Sequence, residues 1–159
     1  RRLQPDEATT RSLDEAEQAA RMYDANAATG NEVLDVVLTE KSLLCEAQRI
    51  RLNCVADGTC LAAIEPGDLY ALFSNLLDQA IDAAAQQQND RRMIDLLVCR
   101  RQGFAVINVI GPALSGHGRR HRYELKVARR VVQKYSGTMA TEPRGELFAV
   151  KIVLPLTRG

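Results

Sequence analysis

A long apolar stripe in the middle of the chain constrains the fold more than any other feature. Between residues 68 and 88, apolar side chains recur at intervals of three and four, which predicts a helix with one buried face, and Asp68 is the expected N-cap. Two apolar runs follow, Met93 to Cys99 and Phe104 to Ile110, joined by a four-residue turn. This spacing predicts a β-hairpin. The helix and the hairpin together predict helix packing on a sheet.

The other periodic segments extend this arrangement on both sides. Further helices are predicted over residues 12–26, 32–48 and 123–135. Further strands are predicted over residues 50–55, 138–141 and 147–154, with a short return strand over 60–64. The order of these segments predicts an α/β (α+β) two-layer sandwich, in which a mixed sheet of at least five strands carries helices on one face.

Composition narrows the classes of partner. The net charge is +1, from 21 basic and 20 acidic residues, so no overall field would attract nucleic acid. Aromatic residues make up 4% and Trp is absent, which argues against a surface for stacking bases. The four cysteines contain no Cys-x-x-Cys pair and lie in apolar runs, so buried, reduced thiols are expected rather than a zinc site. No apolar run approaches the ~18 residues of a membrane helix.

The sequence of the long helix also carries a recognisable motif. The stretch Asn75-Leu76-Leu77-Asp78-Gln79-Ala80-Ile81-Asp82-Ala83 resembles the N-box of the GHKL ATPases, the superfamily of gyrase, chaperone, histidine kinase and mismatch-repair proteins. It is most similar to sensor histidine kinases of the quorum-sensing receptor type. Four other segments match in order: Thr29-Gly30-Asn31, the strand from Ile50, His121 to Lys126, and Lys134 to Gly137 with the ending at Leu154-Pro155.

The resemblance implies a Bergerat-type ATP-binding fold and a division of the chain into two parts. Residues 29–159 would be the catalytic domain, and residues 1–28 the end of a helical dimerisation and phosphoacceptor region. The helix over 12–26 is expected to pack little on the domain and to mediate dimer contacts. The implied cofactors are ATP and Mg²⁺. The implied partners are the chain's own upstream region, a response regulator and a second copy in a full-length homodimer. The domain would be cytoplasmic, in a protein anchored to the membrane through upstream segments.

The resemblance also assigns site residues. Asn75 would be the catalytic position and, with Gln79, would face the metal, because a spacing of four puts both on one side of the helix. Asp82 follows on nearly the same stripe. The remaining candidates for cofactor binding are Gly111, His121, Arg122, Glu124, Leu125 and Lys126.

Three departures from the family pattern predict weak nucleotide binding. Gln79 stands at a metal-facing position that normally carries Asn, and its extra methylene displaces the ligand oxygen. No carboxylate lies between Asn108 and Ala113 to read adenine, and Asn108 is a substitute only if it faces the site. Arg122 and Glu124 replace the glycines of the phosphate-contacting box. A carboxylate ~4 Å from a phosphate charge costs about 4 kcal/mol at an effective dielectric near 20.

Two alternatives remain open from the sequence. The run Arg119-Arg120-His121-Arg122, with Gly116-His117-Gly118 before it, is either a displaced phosphate-binding loop or a solvated remnant of a lid. The domain is either an ATP-dependent histidine autokinase module with weakened or lost ATP binding, or a pseudokinase interaction module that signals through conformation and partner binding. A non-kinase ATPase is disfavoured because no transducer segment follows the domain.

Overall fold

The computed structural model describes residues 28–113 and 124–156. Its helices are α1 (Glu32–Ala47), α2 (Pro66–Ala85) and α3 (Lys126–Lys134). Its strands are β1 (Arg51–Ala56), β2 (Met93–Arg101), β3 (Phe104–Pro112), β4 (Thr138–Arg144) and β5 (Leu147–Pro155). Two 3-10 helices, Gly58–Leu61 and Asn89–Arg91, complete the regular structure of the described residues. The predicted helix over 12–26 lies outside the described residues.

The five strands form one mixed sheet in the order β1-β2-β3-β5-β4. β1 and β2 are parallel, because α2 carries the chain from one to the other, and the remaining neighbours are antiparallel. Alternate strand side chains, including Cys54, Ile94, Ile107 and Ile152, share one core with the apolar faces of the helices. On the opposite face of the sheet, Val55 is 64% exposed. The predicted two-layer sandwich is therefore confirmed.

Two predicted local features are wrong. The expected return strand over 60–64 is instead the 3-10 helix Gly58–Leu61, whose start is capped by the Asp57 side chain accepting from the Thr59 N–H. In this 3-10 helix the adjacent residues Cys60 and Leu61 are both buried, whereas adjacent residues of a strand point to opposite faces. Asp68 is not the N-cap of α2. The helix begins earlier because Pro66 fits its first turn, and Glu65 occupies the cap position without a side-chain bond.

The entry to the domain is tied to the turn after β1. The Asn31 side chain caps α1 by accepting from the N–H groups of Val33 and Leu34, and its amide donates to the Gly58 carbonyl. The Gly58 N–H donates to the Thr29 carbonyl at 2.8 Å. A Cβ on Gly58 would lie 2.6 Å from both the Asn31 Cβ and the Thr29 Oγ1, so only glycine permits this approach.

Arg92 joins the C-terminal ends of α1 and α2. Its guanidinium donates to the carbonyls of Ala85 and Gln87 at the end of α2, and to the Gln48 carbonyl at the end of α1. These carbonyls have no partner within their helices, and a cation there is favoured by the helix dipole. Arg92 therefore fixes the two helices to each other beside the start of β2.

Among the described residues, no helix combines the length and the apolar character needed to cross a bilayer. The predicted burial of cysteines is confirmed for Cys45, Cys54 and Cys60, whereas Cys99 is half-buried. Burial raises the pKa of the Cys45 thiol to about 11, so this thiol is neutral at ordinary pH.

Candidate functional site

The polar stripe of α2 lies where α2 faces the start of α3. Asn75 and Gln79 are half-buried, one helical turn apart, and Asp82 is exposed on the following turn. The opposite side of the same helix is buried through Phe73, Leu77 and Ala84. The amphipathic pattern therefore determines which side of α2 the three polar residues occupy.

Asn75 is bonded to the backbone at the start of α3 through both atoms of its amide. Its Oδ1 accepts from the Ala128 N–H at 2.9 Å, and its Nδ2 donates to the Glu124 carbonyl at 3.0 Å. The first N–H groups of a helix have no partner within it, and Leu125 at the cap position makes no side-chain bond. Asn75 supplies from another helix the acceptor that a Ser or Asp cap would normally provide.

Gln79 holds the same segment one turn further along α2. Its Oε1 accepts from the Glu124 N–H at 2.8 Å. Side chains of α2 therefore bind both the N–H and the carbonyl of Glu124, and Glu124 itself is exposed. The methylene that distinguishes Gln79 from Asn places its oxygen on this N–H.

The other predicted cofactor residues fall in three groups. Leu125 is 5% exposed and belongs to the core, while Lys126 is exposed at the first position of α3. Gly111 is buried near the end of β3, and beyond it the Ala113 carbonyl accepts from the Gln87 amide of the segment after α2. His121 and Arg122, with the basic run from Arg119, lie outside the described residues.

The structure settles which way Asn108 faces. Residues of β3 that belong to the core on the helix side are Ala105, Ile107 and Val109. Asn108 alternates with them and is paired with Leu97 and Lys151 on the opposite face of the sheet. It therefore cannot serve as an adenine acceptor in a site between α2 and α3.

One acidic residue beside the stripe, Asp78, has a partner on another helix. Asp78 is paired with Lys41 of α1 at 2.7 Å, and the Lys41 side chain is only 13% exposed. This ion pair joins α1 to α2 next to Gln79. Sequence patterning could not indicate this pair, because the two residues are 37 positions apart in the chain and lie on different helices.

A second cluster, which the sequence did not indicate, attaches the other end of α3 to the start of α2. The Tyr135 hydroxyl donates to Asp68 Oδ2 at 2.7 Å and accepts from the Glu65 N–H at 3.0 Å. Lys134 Nζ lies 2.8 Å from the same carboxylate. The hydrogen bond from Lys134 lowers the pKa of Asp68, and burial raises the pKa of Tyr135.

The donors and acceptors of the predicted nucleotide site are therefore bonded to each other. The two amide oxygens that would face Mg²⁺ accept backbone N–H groups, and those N–H groups belong to the segment that would face phosphate. Mg²⁺ requires near-octahedral oxygen ligands at about 2.1 Å. The described residues contain no group of three His, Cys, Asp or Glu side chains arranged to hold a metal ion. In this arrangement an N–H occupies one of the two lone pairs on each of the Asn75 and Gln79 amide oxygens.

Comparison with known proteins identifies the family of this chain. The profile described as the GHKL domain matches residues 64–155. No curated protein matches the chain. Among solved structures, the catalytic domain of histidine kinase ThkA is 15% identical with a TM-score of 0.59, and the match covers 79% of this chain and 91% of that one.

Two further solved structures are similar in fold. The histidine kinase domain of the blue-light activated kinase EL346 from Erythrobacter litoralis is 18% identical, with a TM-score of 0.53 over 96% of this chain and 76% of that one. The histidine kinase AdeS from Acinetobacter baumannii is 12% identical, with a TM-score of 0.51 over 98% and 88%. At these identities the likeness concerns the fold alone.

Proposed function

Because the chain belongs to the GHKL domain family, we propose that it is the catalytic-type domain of a two-component sensor histidine kinase whose Mg·ATP binding is weakened or lost. GHKL domains generally bind ATP with Mg²⁺. The mutual bonding of Asn75, Gln79 and the segment from Glu124 to Ala128 is the observation that carries the proposal. A metal ion at either amide oxygen would have to share the oxygen with the bound N–H, which occupies one of its two lone pairs, or displace that N–H.

The cost of that displacement supports the proposal. A hydrogen bond contributes about 1 kcal/mol net, and a buried group left without a partner costs about 1–3 kcal/mol. The Ala128 residue is fully buried, so its N–H could not turn to water without movement of α3. Asp82 and Glu124 add exposed carboxylates on either side of the same region, which disfavours a triphosphate further.

The experiment is calorimetric titration with Mg·ATP of four forms of the chain: unmodified, Arg122→Gly with Glu124→Gly, Gln79→Asn, and a control. The control, Glu142→Gly with Arg144→Gly, removes one acid and one base with the same spacing from the edge strand β4. We expect the unmodified chain to bind Mg·ATP with a Kd above about 1 mM, which corresponds to a binding free energy weaker than about 4 kcal/mol. The Arg122, Glu124 variant should bind at least about tenfold more tightly and Gln79→Asn should gain less, while the control is unchanged.

Micromolar binding by the unmodified chain would contradict the weakened-binding part of the proposal and leave the family assignment in place. The second candidate function, a pseudokinase module acting through conformation, is favoured by the same bonding of Asn75 and Gln79. The Asn75→Asp variant of the full-length protein distinguishes the kinase function from the pseudokinase function. An active kinase should lose phosphate incorporation from labelled ATP together with its signalling output, whereas a pseudokinase should incorporate none in either form.

The remaining parts of the proposal are what the resemblance to sensor histidine kinases implies. Residues 1–28 would be the end of the dimerisation and phosphoacceptor region, and residues 29–159 the catalytic-type domain. The full-length bacterial protein would be a homodimer of the quorum-sensing receptor type, anchored in the membrane with this domain in the cytoplasm. Its partners would be its own upstream region and a response regulator. Similarity to the histidine kinase structures supports these partners.

A further inference from the structure

A cavity of about 320 Å³ opens at the C-terminal end of α3, away from Asn75 and Gln79. It lies between the segment of the 3-10 helix after β1, the end of α3, the start of β3 and the end of β5. Its floor is formed by four buried residues, Cys60, Ile64, Ala105 and Leu154. Its rim is formed by Ala63, Tyr135, Ser136, Pro155 and Leu156.

The lining carries no charged side chain, and the side-chain polar groups of Cys60 and Tyr135 are already bonded. The Cys60 thiol donates to the Asp57 carbonyl at 3.2 Å, and burial raises its pKa, so it remains neutral. The Tyr135 hydroxyl is bonded to Asp68 and to the Glu65 N–H on the outer side of α2. A charged molecule would lose its hydration without gaining a partner, whereas an apolar molecule would gain burial.

The rim offers one polar group of a different kind. Ser136 lines the cavity, is exposed, and has φ 62° at the turn that ends α3. A molecule with an apolar body and one hydroxyl could therefore bury the body on the floor and leave the hydroxyl at the rim. The volume is at the lower end of the ~300–1,000 Å³ typical of ligand pockets, which suits a molecule with about one ring.

We propose that this cavity is a binding site for a small, uncharged, largely apolar molecule carrying one aromatic or aliphatic ring. The site is separate from the proposed nucleotide region, because α3 spans roughly 13 Å between them at the usual rise per residue. It does not depend on the proposed function, since none of its lining residues is among the predicted nucleotide-site residues.

The experiment is a two-dimensional amide NMR titration of the whole chain with benzyl alcohol and, separately, with benzoate, which has the same ring and a negative charge. Benzyl alcohol should produce saturable shifts at Cys60, Ile64 and Leu156, and benzoate should bind at least about tenfold more weakly. Ala63→Trp should fill the opening and weaken benzyl alcohol binding by about tenfold or more. Ala62→Trp is the matched control, because Ala62 is exposed, adjacent and absent from the lining; it should leave binding unchanged.

Three results would overturn the proposal. The first is the absence of saturable shifts at the floor residues at millimolar benzyl alcohol. The second is equal binding of benzoate, which would show that the uncharged lining does not select the ligand. The third is an equal loss of binding in Ala63→Trp and Ala62→Trp, or shifts confined to the opposite sheet face around Val55 and Phe104.

Discussion

The two ends of α3 are attached to α2 in different ways. At the N-terminal end, neutral amides of Asn75 and Gln79 bind backbone groups of Glu124 and Ala128. At the C-terminal end, the side chains of Lys134 and Tyr135 bind the Asp68 carboxylate. The first attachment depends on the side chains of α2 alone and involves no titrating group. The second depends on side chains of both helices and on charge.

This difference bears on function because only the N-terminal end lies in the predicted nucleotide site. Changing side chains at the start of α3 should leave that attachment intact, since the backbone makes the bonds. Changing Asn75 or Gln79 should release it. The C-terminal attachment should respond to pH, and the N-terminal one should not.

The largest effect should come from Asn75→Ala. It removes both the cap on the Ala128 N–H and the bond to the Glu124 carbonyl, so the free energy of unfolding should fall by about 2 kcal/mol. Urea unfolding followed by circular dichroism measures the change. Asn75→Asp keeps an acceptor and should recover more than half of the loss. A loss below about 0.5 kcal/mol for Asn75→Ala would show that the cap does not hold α3 in solution.

Gln79→Ala should have about half that effect. It removes one hydrogen bond to an N–H that water can reach, so a loss of about 1 kcal/mol is expected in the same urea experiment. Gln88→Ala is a suitable control, because Gln88 is exposed beyond the end of α2. Equal losses for the two variants would mean that the bond to Glu124 is not formed.

Tyr135→Phe tests the opposite end of α3 while keeping the ring that forms the rim of the cavity. It removes the bonds to Asp68 and from the Glu65 N–H, and because Tyr135 and Asp68 are only half-buried the expected loss is about 0.5 kcal/mol. Thermal unfolding of the two proteins measures it. A loss larger than that of Asn75→Ala would reverse the comparison between the two ends.

In the Asp68→Asn variant, the contribution of the C-terminal attachment to stability should no longer depend on pH. The pKa of Asp68 is lowered in the folded chain, chiefly by the hydrogen bond from Lys134, from an ordinary value of 3.8. Its contribution is therefore present above pH 3.8 and lost as the pH falls through the lower folded value. The difference in Tm between the unmodified chain and Asp68→Asn should be constant from pH 7 to 5 and shrink below pH 4. A constant difference at all pH values would exclude the charge-based attachment.

The smallest effect is expected for Glu124→Ala. Gln79 and Asn75 bind only the backbone of Glu124, and its side chain is exposed, so the free energy of unfolding should change by less than about 0.5 kcal/mol. The same variant should nevertheless alter nucleotide binding if the carboxylate repels phosphate. A large loss of stability would show that the side chain contributes to the start of α3.

The elements with strong periodicity were predictable from the sequence. The hairpin of β2 and β3 and the long helix α2 form where apolar spacing indicated, because burial of one face dominates the choice of local structure over such lengths. Short segments were less predictable. Residues 60–64 carry too few alternating positions to identify a strand, and the Asp57 cap converted their start into a 3-10 helix.

The sequence by itself also determined that Asn75 and Gln79 share one side of a helix, since a spacing of four residues fixes this in any α-helix. Only the tertiary structure decided what their amides bind, because Glu124 and Ala128 lie 45 to 53 residues further along the chain. The facing of Asn108 was undecidable from sequence because β3 is apolar on both faces, with Val106 and Ile110 on the side opposite Ile107 and Val109, so alternation gave no contrast. Its orientation depends on which sheet face α2 covers, and that is a property of packing between distant segments.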